Sequence, residues 1–205
     1  MANPHITVSV AVEGLLDEAV LLRVIEHCGL TAGPVHGKGG KPHLLQRLSG
    51  YNRAAFIAPW CVLVDLDQDS RCPADCRDSW LPDPAPLMRF RIAVREIEAW
   101  LFGDWERLAS YLGVARSRFP SVPESVLQPK EAMVDLARRS RRAAVREDMV
   151  PRPGSGRKIG PAYVSRLIEF ASDPREGWRP EVASTNVDSL RRCMARLAEF
   201  GSQNG

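Results

Sequence analysis

Five carboxylates fall at three places where an apolar run gives way to polar residues: Glu13 after "ITVSVAV", Asp65 and Asp67 in "WCVLVDLDQD", and Glu96 and Glu98 after "MRFRIAV". Grouped anions raise one another's pKa and resist ionising together, a conflict that a divalent cation removes. Oxygen donors with no histidine or cysteine among them favour Mg²⁺ or Mn²⁺ over Zn²⁺. Mg²⁺ commonly takes one or two carboxylates, and water and phosphate oxygens complete its shell. The chemistry such a group suits is phosphoryl transfer, in which the ion polarises the phosphate and helps make the attacking water. Each acid taken alone has a plainer reading. Glu13 would serve as a dipole partner at a helix start, "DLDQDS" as an acidic surface turn, and the "REIE" glutamates as a wet first helical turn.

The elements around these acids decide whether they meet. Ile6, Val8, Val10 and Val12 alternate with small residues, as in a strand buried on both faces. "LLDEAVLLRVIEHCG" follows with helical spacing, Asp17 and Glu18 in its first turn and Gly29 as its stop. A short strand is expected around Pro34–His36, a helix over "HLLQRLSGYNRAAF" and a strand from Trp60. "MRFRIAV" alternates as a strand with one wetter face, and "REIEAWLFGDWERLASYLG" is spaced as one helix ending at Gly113. This order predicts an α/β fold with a mostly parallel, Rossmann-like sheet flanked by helices. Functional groups then collect at the carboxyl ends of the strands. Alternation along a strand places Asp65 and Asp67 on one face. Beyond residue 113 the pattern turns helical, in "PKEAMVDLARRSRRAA", "GPAYVSRLIEFA" and "NVDSLRRCMARLAEFG". The division expected is a core over residues 1–113 and a helical extension over 114–205, packed on that core.

Composition excludes several classes. With 44% hydrophobic and 26% charged residues the chain reads as a globular protein, and no apolar run is long enough to span a bilayer. The start "MANPHITVSV" lacks a signal-peptide pattern, so a cytoplasmic protein with no membrane partner is expected. Cys28, Cys61, Cys72, Cys76 and Cys193 form no regular framework and read as reduced thiols. "CPADC" lacks the second pair that a zinc site needs. His5, His27, His36 and His43 are scattered and read as packing or surface residues.

The net charge of +3 is small but uneven, because residues 129–205 carry 15 Lys and Arg against 10 Asp and Glu. "RRSRRAAVR", Arg138–Arg146, is the densest basic segment. It suits phosphate binding by counterion release, or a solvated helix face. Arg157 and Lys158 in "GSGRKIG" offer phosphate contacts. Lys38 and Lys41 in "HGKGGKPH" read as mobile surface positions, and "GKGGK" lacks both the glycine spacing and the Ser/Thr of a Walker A loop.

"VEG…DE", comprising Glu13, Gly14, Asp17 and Glu18, followed by "VLVDLDQD", resembles the Toprim domain of topoisomerases, primases and overcoming-lysogenization-defect nucleases. "RIAVREIEAWLFGD" and "KIGPAYVSRLIEF" resemble a Toprim-like bacterial family termed domain of unknown function 4276. The resemblance implies a Toprim-like sheet and a Mg²⁺-dependent (or Mn²⁺-dependent) nuclease acting on DNA or RNA. Glu13 would be the general acid or base near the metal, Asp65 and Asp67 metal ligands, and Glu98 and Glu96 the source of a further carboxylate. Gly14 would let the backbone turn closely at the site, and Arg157 and Lys158 would hold substrate, with Lys158 close to the chemistry. An ATPase partner and a part in defence against foreign DNA are also implied. The alternative expectation is a non-catalytic Toprim-like protein that binds nucleic acid or regulates an ATPase.

Overall fold

The computed structural model describes residues 6–70 and 72–202, so His5 lies outside the described residues. Strands β1 (Thr7–Val12), β2 (Thr31–Gly37), β3 (Trp60–Asp65) and β4 (Met88–Ala93) form one all-parallel sheet in the order β2-β1-β3-β4. Helix α1 (Leu15–His27) joins β1 to β2, α2 (Lys41–Ala54) joins β2 to β3, and α3 (Pro73–Trp80) lies between β3 and β4. The step from β1 to β2 and the step back across β1 to β3 run in opposite directions. Right-handed crossovers therefore put α1 and α2 on opposite faces. Side chains divide accordingly: Val8, Val10, Val12, Cys61 and Leu63 pack on the α1 side, while Ala11, Val62 and Val64 meet Leu44 and Leu48 of α2. The α/β architecture expected from the order of patterns is the one observed. The reversal between β1 and β3 opens a crevice at their carboxyl ends, where Glu13 and Asp65 lie.

Local differences from the sequence reading have physical causes. The strand expected around Pro34–His36 extends over all of β2. The expected wet face of β4 is covered, because α10 (Asp188–Ser202) lies across it. Arg89 is buried there, donating from Nε to the Arg196 carbonyl (2.9 Å) and from Nη1 to the Pro86 carbonyl (3.0 Å), with its guanidinium 4.2 Å from the Phe200 ring centre. The single helix expected up to Gly113 is two, α4 (Glu98–Phe102) and α5 (Trp105–Leu112). Asp104 breaks it by capping α5, and its buried carboxylate takes a two-pronged ion pair from Arg179 at 2.9 and 2.8 Å.

The remaining helices are α6 (Pro129–Arg138), α7 (Ala143–Met149), α8 (Tyr163–Ser172) and α9 (Pro180–Ala183). Ser140 separates α6 from α7 by donating to the Leu112 carbonyl and accepting from the Arg142 amide (2.9 Å). Much of the basic segment is engaged within the fold. Arg138 pairs with Asp135, while Arg142 and Arg146 donate to the carbonyls of Tyr111 and Ser140. A single apolar cluster runs from Val10 and Trp100 through Met133, Tyr163 and Phe170 to Leu197, so residues on both sides of position 113 share one core. Among the described residues the five cysteines are free, and no helix is long and apolar enough to cross a membrane.

Helix α10 is capped from a distance. Glu124, in a short 3-10 turn (Pro123–Ser125), accepts from the Asp188 and Ser189 amides at 2.9 Å each. Glu124→Ala should leave two helix-start donors without a partner and cost about 1 kcal/mol, read as a lower urea midpoint with an unchanged slope.

Candidate functional site

Three carboxylates from three different elements are buried beside the β1–β3 crevice. Asp65 ends β3 on the face that also carries Cys61 and Leu63, Asp17 sits in the first turn of α1, and Glu98 opens α4. Among the described residues each has one buried oxygen with no hydrogen-bond partner: Asp17 Oδ1, Asp65 Oδ1 and Glu98 Oε2. A buried polar atom without a partner costs of the order of 1–3 kcal/mol, more when charged. The group is thus an expense of the fold as it stands. Burial is the main cause that pushes Asp65 well above the usual carboxylate range, and the charges of Asp17, Glu98, Glu13 and Asp67 add to it. Asp17 is raised in the same direction, chiefly by burial, against the opposing pull of backbone amides at its helix start and of Lys130.

Glu13 lies just past β1 and accepts from the Asp65 amide at 2.8 Å, which locks the ends of the two central strands together. Burial is the largest cause raising its carboxyl to about 7. Gly14, at φ −145°, has a backbone open to any residue. What it supplies is room, since a Cβ there would stand 3.1 Å from Asp17 Oδ2. The close turn expected of Gly14 is therefore a close approach of a side chain.

The remaining predicted residues are placed less uniformly. Asp67 does not share a strand face with Asp65, because β3 ends at Asp65 and Asp67 turns into the left-handed region at φ 50°. Its carboxylate instead accepts from Lys41 Nζ at 2.5 Å, and Lys41 also reaches Asp69 at 2.8 Å. Glu98 points inward and is 1% exposed, whereas Glu96 is committed elsewhere. Its Oε2 accepts from the Lys130 amide (2.8 Å) at the start of α6, and its Oε1 from Lys130 Nζ (3.2 Å). Lys158 is exposed and lines a cavity of about 400 Å³ with Asp67, Gln68, Glu96, Leu127 and Lys130. Arg157 is exposed beside it in sequence.

Three residues that the sequence reading left out belong to this site. Asp17 carried a signal, its place in the first turn of a helix four residues after Glu13. Lys41 is not a mobile surface residue: its side chain is only 14% exposed, and the loop before it is tied down by Lys38 and Gly40 amides donating to the Val12 and Glu13 carbonyls. Lys38 itself is exposed and pairs with Glu18 at 3.2 Å. Lys130 lies 4.0 Å from Glu98 and its charge also favours ionised Asp17. Nothing in "QPKEAM" announces that role.

Among the described residues, no three acidic, histidine or cysteine side chains stand in the close arrangement of a preformed metal cage. The three orphaned atoms are nevertheless all carboxylate oxygens, the donor type a hard cation takes, and the charges of Asp17 and Glu98 both act on Asp65. Tyr163 supports the group by donating to Glu98 Oε1 at 3.0 Å. Burial raises Glu98 to about 7 even so. Tyr163→Phe removes a hydrogen bond that favours the charged form. The Glu98 carboxyl should therefore titrate still higher, followed by carbon-detected NMR, at a cost of about 2 kcal/mol in stability at pH 8.

Compared with protein-family models, with curated proteins and with solved structures, the chain gives no match in any of the three.

Proposed function

We propose that the chain is a Mg²⁺- or Mn²⁺-dependent phosphoryl-transfer enzyme, a nuclease acting on DNA or RNA through a Toprim-like sheet. The observation that carries this reading is the trio of orphaned buried oxygens on Asp17, Asp65 and Glu98 at the crevice between β1 and β3. Those three residues would hold the ion. Once bound, a divalent cation would polarise a phosphate oxygen and acidify a water. Glu13, near pH 7 in its titration, is suited to both take up and return a proton at the reacting centre. Lys130 and Lys158 line the adjoining cavity and would hold phosphate oxygens there, with Asp67 and Glu96 at its acidic side. Arg157 would act at the outer margin. The resemblance to overcoming-lysogenization-defect nucleases supports a setting in defence against foreign DNA, with an ATPase as partner.

A second reading, a non-catalytic protein that binds nucleic acid or regulates an ATPase, draws on one observation. Lys41 and Lys130 already balance Asp67, Asp69 and Glu96, so much of the site's charge is compensated by the chain itself. The two are separated by incubating the protein with labelled DNA and RNA in Mg²⁺ or Mn²⁺ beside Glu13→Gln and Asp65→Asn. Cleavage lost in both variants supports the nuclease. Cleavage that survives both overturns the mechanism, and retention of substrate without cleavage by the wild type supports the second reading.

A further inference from the structure

β4 is an edge strand, and part of that edge is open. The Leu87 and Ala93 carbonyls accept from Trp60 and Leu66 at the β3 side, so the backbone groups of Arg89 and Arg91 also face β3. Those of the intervening residues face outward. At the two ends this outer row is satisfied: the Met88 amide donates to the Ala85 carbonyl, and the Val94 amide to Ser189 Oγ at 3.5 Å. Between them the amides and carbonyls of Phe90 and Ile92 look into a trough between α3 and α10. Two adjoining cavities of about 380 and 470 Å³, both lined by Arg77, Phe90, Arg91 and Arg192, make up this trough.

The trough is two-sided in character. Pro73, Ala74 and Phe90 give an apolar wall toward α3, while Arg91 of β4 and Arg192 and Arg196 of α10 give a cationic one. Arg91 Nε is buried and has no partner among the described residues. Asp188 pairs with Arg191 and Arg192, Glu199 with Arg89 and Arg196, and Asp78 with Arg77, so of the six arginines lining the trough Arg91 alone has no ion pair among the described residues. The six still outnumber these acids and Glu124, which leaves the trough net positive.

We infer that this edge takes an added strand: an extended segment of a partner protein, with acidic residues on one face and apolar residues on the other, pairing with Phe90 and Ile92. Strand addition satisfies four outward backbone groups, and the alternation of side chains puts one set against each wall. A second copy of the chain is a poor occupant, since its own β4 would bring its arginines against these. The inference stands apart from the proposed nuclease activity, because none of the carboxylate site is used.

The test uses the full chain and a fluorescein-labelled octapeptide of alternating valine and glutamate, read by anisotropy and by hydrogen exchange. Expected are saturable binding at least tenfold tighter than to a valine–lysine peptide, and slowed exchange at the Phe90 and Ile92 amides. Two variants should each weaken it about tenfold or more: Arg77→Glu with Arg192→Glu, both exposed, and Ile92→Pro, which removes an outward donor that an edge strand tolerates losing. Equal binding of both peptides overturns the proposal, as does binding indifferent to the variants. Displacement of the peptide by oligothymidylate, with slowed exchange at the same amides, overturns it in favour of a nucleic-acid groove.

Discussion

Asp65→Asn is expected to make the metal-free protein more stable while abolishing the divalent-ion-dependent cleavage proposed for it. The wild-type carboxylate is buried among Asp17, Glu98, Glu13 and Asp67, with Oδ1 unpartnered. An amide of the same shape removes the charge and turns one acceptor into a donor facing other acceptors. The gain should be on the order of 1–3 kcal/mol, and for a chain of this length each kcal/mol moves the thermal midpoint by about 2–4 °C. Cleavage should fall by about 10³-fold or more, since the proposed cation ligand would be lost and several kcal/mol of transition-state stabilisation with it. Differential scanning calorimetry with EDTA and a single-turnover cleavage assay read the two effects. A lowered midpoint would mean that the Asp65 carboxylate is well compensated, and the cation-site reading would fail. Opposed signs on stability and activity are what a site strained for function predicts.

The second large effect is a linkage between pH and Mg²⁺. Glu13 and Glu98 are both raised from 4.5 to about 7, chiefly by burial. A carboxyl whose folded-state pKa lies above its unfolded value contributes stability that is present below the unfolded pKa. That contribution is lost as pH rises through the folded one. Without divalent ions, stability should therefore fall between pH 4.5 and about 7. Glu98 alone accounts for about 3 kcal/mol, and Glu13, being less completely buried, for less. Asp17 and Asp65 shift in the same sense. Mg²⁺ at millimolar concentration should restore much of the loss at pH 8 and have little effect at pH 5, where the carboxyls are protonated. Thermal midpoints at the two pH values, with EDTA or Mg²⁺, check this. A Mg²⁺ effect of equal size at both would place the ion elsewhere.

The sheet was legible in the sequence because burial on both faces leaves unbroken apolar runs, and β1 and β3 are such runs. The strand-end positions of Glu13 and Asp65, and the place of Glu98 at the helix start after β4, followed from the same pattern. Asp67 did not, because alternation holds only while the chain stays extended, and its left-handed turn ends that. The face of β4 misled for a related reason. Arginines look solvent-facing by type, yet Arg89 buries its stem against Phe200 and hands its donors to carbonyls. Lys130 and Tyr163 were hidden because their relation to Glu98 is set by helix packing across more than thirty residues, which no local spacing encodes.

That separation has a consequence for how the protein is made. The buried acids arise from residues 13–98, but the ammonium of Lys130 and the phenol of Tyr163 that steady them come later in the chain. During synthesis from the amino terminus, the sheet would emerge without the compensation that Lys130 gives Asp17 and Glu98, and with the core it shares with Phe170 and Leu197 unfilled. The first half thus draws part of its charge balance and burial from helices that follow it in the chain, so its settling should follow their synthesis.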